Sequence, residues 1–173
     1  TMLNKTPGRA VVDDDTPGAD PMQPLREAIA AQSADLGVCF DAAGDRWAFL
    51  DETGTLIRAD DLAALLTPAV LDRRPGATVV CDVRASKALH EAIASAGGAA
   101  VRTAIGRSAT TTAMTRHKAA LGVDLSGRAY FREDGYTDSA MRTLAAVLTC
   151  LSADDALLSQ RAAPLRRYVR SGE

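Results

Sequence analysis

ATVVCDVRASKALHEAIASAGGAAVRTAI, residues 77–105, decides the fold. ATVVCDV is apolar and β-branched, the pattern of a central strand. SKALHEAIASAG follows as a helix closed by glycine, and AAVRTAI reads as a second strand. Strand, helix and strand at this spacing form a βαβ unit, so part of the sheet is parallel. Upstream, a helix is expected from Leu25 to about Ala34. GVCF (37–40) reads as a buried strand and WAFLD (47–51) as another, with DAAGDR between them. After the turn signal at Thr53 and Gly54, a helix is expected from near Asp60, whose carboxylate is suited to cap exposed backbone N–H groups. Downstream come a short helix from Thr110 to about Lys118, strands in AALGV and RAYF around the turn VDLSGR, and a long helix from about Thr137 to Leu151. The expected fold is α/β, with a mixed, partly parallel sheet flanked by helices. Residues 1–24 hold four of the seven prolines and the run Asp13, Asp14, Asp15, and read as a flexible or extended arm. Residues 25–163 form the domain, and 164–173 read as a linker-like tail.

Composition narrows the function. Aromatics are only 4% of the 173 residues, so Ala, Leu and Val must fill the core. The net charge is −2 and the pI about 5.7, which gives no basic field for nucleic acid or an anionic membrane; neither is expected as a partner. No apolar run approaches the ~18 residues of a membrane span, and the first residues lack the pattern of a signal peptide. A soluble, cytoplasmic protein is expected. Cys39, Cys81 and Cys150 are widely spaced, with Cys39 and Cys81 in apolar runs, and read as core thiols of a reducing compartment.

The order of motifs resembles the α-D-phosphohexomutases, the family of phosphomannomutase and phosphoglucomutase. ADLGVCFDAAGDRWAFLDETG stands where that family has a strand followed by its DGDGDR metal loop. ATVVCDVRASKAL is similar to the family's DVRSS-type turn, GGAAVRTAIGRS to its VRTxVGHS segment, and GVDLSGRAYF to its GEHSGH sugar loop. RYVRSGE resembles the linker into the fourth, phosphate-binding domain. The resemblance runs from about Pro21 to the end, and implies the tail of the second domain plus the whole third domain of a four-domain enzyme. The family's phosphoserine lies in a TxSHN-type loop, whereas no serine here is followed by histidine.

The resemblance also assigns residues to roles. Asp41 and Asp45 occupy two of the three metal-loop positions, and the middle one is Ala43. Two readings stand: a weak Mg²⁺ site completed by water, the only cofactor the resemblance implies, or caps on turn N–H groups. Arg46 follows the loop and is expected to pair with Asp41 or Asp45. Arg107 takes the place of a histidine suited to proton transfer, which a guanidinium cannot perform. Thr111 replaces a lysine, Asp124 shortens the sugar-gripping glutamate, Leu125 follows it, and Arg128 replaces a second histidine. Ser126 and Gly127 are retained. Candidate catalytic residues are Asp41, Asp45, Arg107 and Asp124; candidate binding residues are Arg46, Arg84, Ser108, Ser126, Gly127 and Arg128. Arg46, Arg84, Arg107 and Arg128 are expected to border one cleft, where guanidinium forks suit an anion. His90 and His117 read as surface residues, and Trp47 as core or interface. Tyr130 and Phe131 alternate on a strand, one toward the core and one toward the cleft.

The expectation is a stand-alone, degenerate phosphohexomutase-like protein that is no mutase by itself. It is expected to be repurposed to act on a small anionic or polyhydroxylated molecule, as in specialised biosynthesis. The alternatives are a non-catalytic sugar-phosphate-binding module, or a structural subunit docking on another protein that carries the missing domains. Surfaces freed by missing domains favour self-association, so a homodimer is the expected assembly.

Overall fold

The computed structural model describes residues 1–3 and 20–168. The expected arm falls largely on residues 4–19, outside the described ones.

Helix α1 (Gln23–Gln32) starts with Pro24 near its N-terminus, where the missing N–H costs nothing. Three antiparallel strands follow: β1 (Leu36–Phe40), β2 (Trp47–Asp51) and β3 (Leu56–Ile57). β1 forms one edge of this small sheet, and Cys39 on it is exposed, contrary to its reading as a core thiol. Asp51 shapes the turn after β2, its Oδ1 accepting N–H bonds from Thr53 (3.0 Å) and Thr55 (2.9 Å).

The second sheet has the order β5-β4-β6-β7-β8, built from β4 (Thr78–Asp82), β5 (Ala99–Thr103), β6 (Leu121–Asp124), β7 (Arg128–Phe131) and β8 (Thr137–Asp138). β4 is parallel to β5 and β6, while β7 and β8 join antiparallel, so the sheet is mixed and partly parallel as expected. Helix α2 (Ala59–Asp72) precedes β4, and α3 (Lys87–Ser95) makes the crossover. The Ser86 hydroxyl caps α3 by accepting the Leu89 N–H. Asp60 does not cap its own helix: it is fully buried in the first turn of α2 and accepts the Ser86 N–H at 3.1 Å, which ties the starts of α2 and α3 together.

Side chains alternate across the sheet, and both faces are covered. Val79, Cys81, Leu121, Val123 and Phe131 join the larger core with α2, α3, α5 (Ala140–Leu151) and α6 (Leu158–Ala162). Val80 and Tyr130 pack on the other face beneath α4 (Arg107–His117), which contributes Met114. Tyr130 and Phe131 are therefore both buried, one on each face, and neither is left for an open cleft. Gly122 permits the approach of α4, since a Cβ there would lie 2.3 Å from Met114 Sδ. Burial pushes the Cys81 thiol up to about 11, which fits a core thiol.

Three boundaries differ from expectation. α4 starts at Arg107, three residues early, and β8 with the Ser139 cap separates Thr137 from α5. The tail is not a free linker through residue 168: Leu165 packs on the core, and Tyr168 and Arg167 both bond Glu91 on α3. No helix among the described residues is long and apolar enough to cross a membrane.

Candidate functional site

The loop 41–46 joins β1 to β2 and is folded around one carboxylate. Asp41 Oδ1 accepts the N–H groups of Asp45 and Arg46, each at 3.2 Å, and the Gly44 N–H donates to the Asp41 carbonyl. Burial raises the Asp41 pKa, but the Arg46 N–H, then the Asp45 side chain and the Asp45 and Gly44 N–H groups, outweigh it and hold the carboxyl below its ordinary range. The turn-capping reading of Asp41 thus describes its geometry. The Arg46 side chain is exposed and forms no ion pair among the described residues; only its backbone meets Asp41, so the expected pairing is absent.

The loop between β6 and β7 is fixed from three sides. Asp124 Oδ1 accepts the Ser126 N–H at 2.9 Å, and its Oδ2 accepts the Tyr130 hydroxyl at 3.0 Å. Asp82, fully buried at the end of β4, accepts the Leu125 N–H at 3.0 Å and the Arg84 guanidinium at 2.8 Å. Burial raises the Asp82 pKa, but Arg84 and the Leu125 and Arg84 N–H groups overcome this and lower it. Finally, the Trp47 N–H donates to the Gly127 carbonyl at 2.9 Å, joining the two loops.

Between the loops lies an ion-pair network. Arg128 Nε stands 3.3 Å from Asp45 Oδ2 and 3.4 Å from Asp138 Oδ2, and its Nη1 is 3.8 Å from Asp124. Arg107 pairs with Asp138 and reaches Asp45 at 3.9 Å. The bond to Asp138 raises the Arg107 pKa further, fixing it as a cation. Tyr130, pressed upward first by burial and then by Asp124, stays a neutral donor.

Of the expected residues, Asp45, Asp124, Arg107 and Arg128 are brought together in this network. Arg84, Ser126 and Gly127 instead line a neighbouring pocket of ≈ 320 Å³ with Trp47, Arg58 and Asp60. Ser108 lies in an open groove between β5 and α4, which Arg107 also lines. The four arginines therefore divide among separate settings instead of bordering one cleft. Asp138 and the Tyr130 hydroxyl are members that sequence reasoning missed. The Ser139 cap marks a helix start just after Asp138 and is the signal that could have found it.

The Mg²⁺ implied by the resemblance finds a poor donor set. The ion asks for several oxygens in near-octahedral array. Position 43 is alanine, Asp41 Oδ1 is committed to two N–H groups, and Asp45 Oδ2 faces two guanidiniums. Asp45 Oδ1 is buried without a hydrogen-bond partner and Asp41 Oδ2 takes neither of those N–H bonds, but two oxygens fall short of a near-octahedral site. No three His, Cys, Asp or Glu side chains among the described residues converge for a metal. These residues do not fit the ion.

The titration directions set a pH dependence. Asp41 and Asp82 have lower pKa values folded than unfolded, so the unfolded chain takes up protons first as pH falls. Their stabilisation is complete above the unfolded value, roughly 4, and is lost as pH falls through the lower folded values. The unfolding midpoint should hold steady from about pH 7 to 5 and decline below about 4. Asp82→Asn should flatten that decline, as followed by circular dichroism across the pH range.

A profile of the phosphoglucomutase/phosphomannomutase α/β/α domain III matches residues 58–168. The phosphomannomutase of Methanocaldococcus jannaschii is 30% identical over 159 residues, covering 92% of this chain and 35% of that protein. The phosphomannomutase/phosphoglucomutase of Pseudomonas aeruginosa is 36% identical over 141 residues, 78% of this chain and 30% of its own. The crystal structure of a phosphoglucomutase/phosphomannomutase family protein from Burkholderia thailandensis matches with TM-score 0.74 and 27% identity, over 83% of this chain and 31% of that one. The chain thus spans about a third of the length of the relatives it matches. By the match of the family profile over residues 58–168, the identity to the phosphomannomutases and the likeness of fold, this chain belongs to the phosphoglucomutase/phosphomannomutase family and carries its α/β/α domain III.

Proposed function

We propose that this domain recognises a hexose phosphate or a closely similar polyhydroxylated anion, and that its own residues bind and orient the ligand without transferring a phosphoryl group. The observation that carries the reading is the division of labour between pocket and network. Arg84, Arg58, Ser126 and Trp47 line the pocket, an arrangement suited to an anionic group, a sugar hydroxyl and an apolar ring face. Arg107, at the proton-transfer position, and Arg128, in place of a second histidine, are engaged with Asp45, Asp124 and Asp138; Arg84 and Arg58 are likewise ion-paired, with Asp82 and Asp61, but both line the pocket.

Recognition is favoured over repurposed chemistry because Arg107, at the proton-transfer position, is a guanidinium that cannot give up its proton usefully and is held by Asp138. The activities of the relatives, phosphomannomutase and phosphoglucomutase, supply the ligand class.

Thermal shift tests the reading. Hexose 1- or 6-phosphate at ~100 times its dissociation constant should stabilise the chain by about 2.7 kcal/mol, or about 5–10 °C. Unphosphorylated hexose should give little, and Ser126→Ala should shrink the shift. No shift with any hexose phosphate would sink the proposal.

A further inference from the structure

We propose that Arg128, seconded by Arg107, is a built-in counter-cation for the loop 41–46, so that this loop is ordered by a guanidinium and needs no divalent ion. Charge imposes the need. Asp45, Asp124 and Asp138 all face Arg128 with side chains no more than 16% exposed, and Asp124 and Asp138 are almost fully enclosed. Three carboxylates at such burial must be neutralised, by metal, by proton or by a fixed cation. Arg128 is itself only 15% exposed and lies within 4 Å of all three. Arg107 reaches two of them, Asp45 and Asp138, from the solvent side, with 55% of its side chain exposed.

The geometry gives Arg128 a job beyond neutralisation. Asp45 comes from the β1–β2 loop, Asp124 from the end of β6 and Asp138 from β8, so a single planar fork faces three segments, and its hydrogen bond to Asp45 joins residues 83 apart in the chain. A guanidinium suits this role because it remains charged throughout the ordinary pH range and spreads its donors in a plane. Arg128 is thus a positioning residue: it acts by fixing the loop next to the pocket and need not touch the ligand. This role does not depend on which ligand the pocket takes, and its test contains no sugar.

The test titrates Mn²⁺ into the full chain and follows the free-ion electron paramagnetic resonance signal, with melting curves in Mg²⁺ and in EDTA alongside. For the unaltered chain the signal should stay undiminished to about 1 mM ion, and the melting temperature should be equal in Mg²⁺ and EDTA. Arg128→Gln removes the cation and leaves three carboxylates with Arg107 alone; it should melt lower, and Mg²⁺ or Mn²⁺ should restore part of the loss. Arg128→Lys, which keeps the charge, should show no such rescue. Stoichiometric Mn²⁺ uptake by the unaltered chain would overturn the proposal, as would an Arg128→Gln protein that melts like the unaltered one. If Arg128→Gln does not fold, the Mn²⁺ titration of the unaltered chain and the behaviour of Arg128→Lys still decide the matter.

Discussion

Gly127→Ala should lower the stability of the domain by about 3 kcal/mol, a fall of about 6–12 °C in melting temperature. Two costs add. Gly127 sits at φ +80°, where an L side chain is strained by ~1 kcal/mol or more. Its Cβ would also lie 2.5 Å from the Trp47 carbonyl oxygen, a backbone atom that cannot swing aside. Relief of that clash requires the two loops to separate, which breaks the Trp47 N–H bond to the Gly127 carbonyl, itself worth ~1 kcal/mol. Gly44 supplies the control. It has φ +71° but nothing within 4 Å of where a Cβ would stand, so Gly44→Ala should cost only the backbone strain, ~1 kcal/mol. Equal melting temperatures for the two variants would show that the junction between the loops is not the point of closest packing.

Asp82→Ala is the second large effect, with an expected loss of about 3 kcal/mol and a melting temperature lower by about 6–12 °C. The carboxylate is fully buried and accepts the Leu125 N–H, the Arg84 N–H and the Arg84 guanidinium. Removing it strands those donors, although Arg84, 27% exposed, recovers part of its hydration. The Leu125 bond ties the β6–β7 loop to the central strand, so the affinity for the ligand proposed above should fall together with stability. Asp82→Asn retains an acceptor and should recover part of both. Chemical denaturation of the two variants beside the unaltered chain measures this, and an Asp82→Ala protein of unchanged midpoint would contradict the role assigned to the carboxylate.

The βαβ core is legible in the sequence because every local signal agrees: apolar, β-branched runs for the strands and a glycine that closes the helix between them. β8 is not, since a two-residue strand carries no period, and its Asp138 falls inside the span expected for the following helix. The start of α4 is hidden because RSATTTAMTRH has no apolar face to mark it. Resemblance locates Asp41, Asp45, Asp124 and Arg128, but their pairing is not legible. Asp45 and Arg128 lie 83 residues apart, and they meet because the Gly127 backbone docks on Trp47, a contact without a sequence signature. The tail misleads for a similar reason: its polar residues read as linker, while Arg167 and Tyr168 are engaged with Glu91.

The most direct test of the account is calorimetric titration of the chain with a hexose phosphate, first in EDTA and then in excess Mg²⁺, with the recovered sugar analysed for movement of its phosphate. The account predicts binding of equal affinity in both buffers and an unchanged ligand. Binding that appears only with Mg²⁺, or an isomerised hexose phosphate in the recovered material, would contradict it.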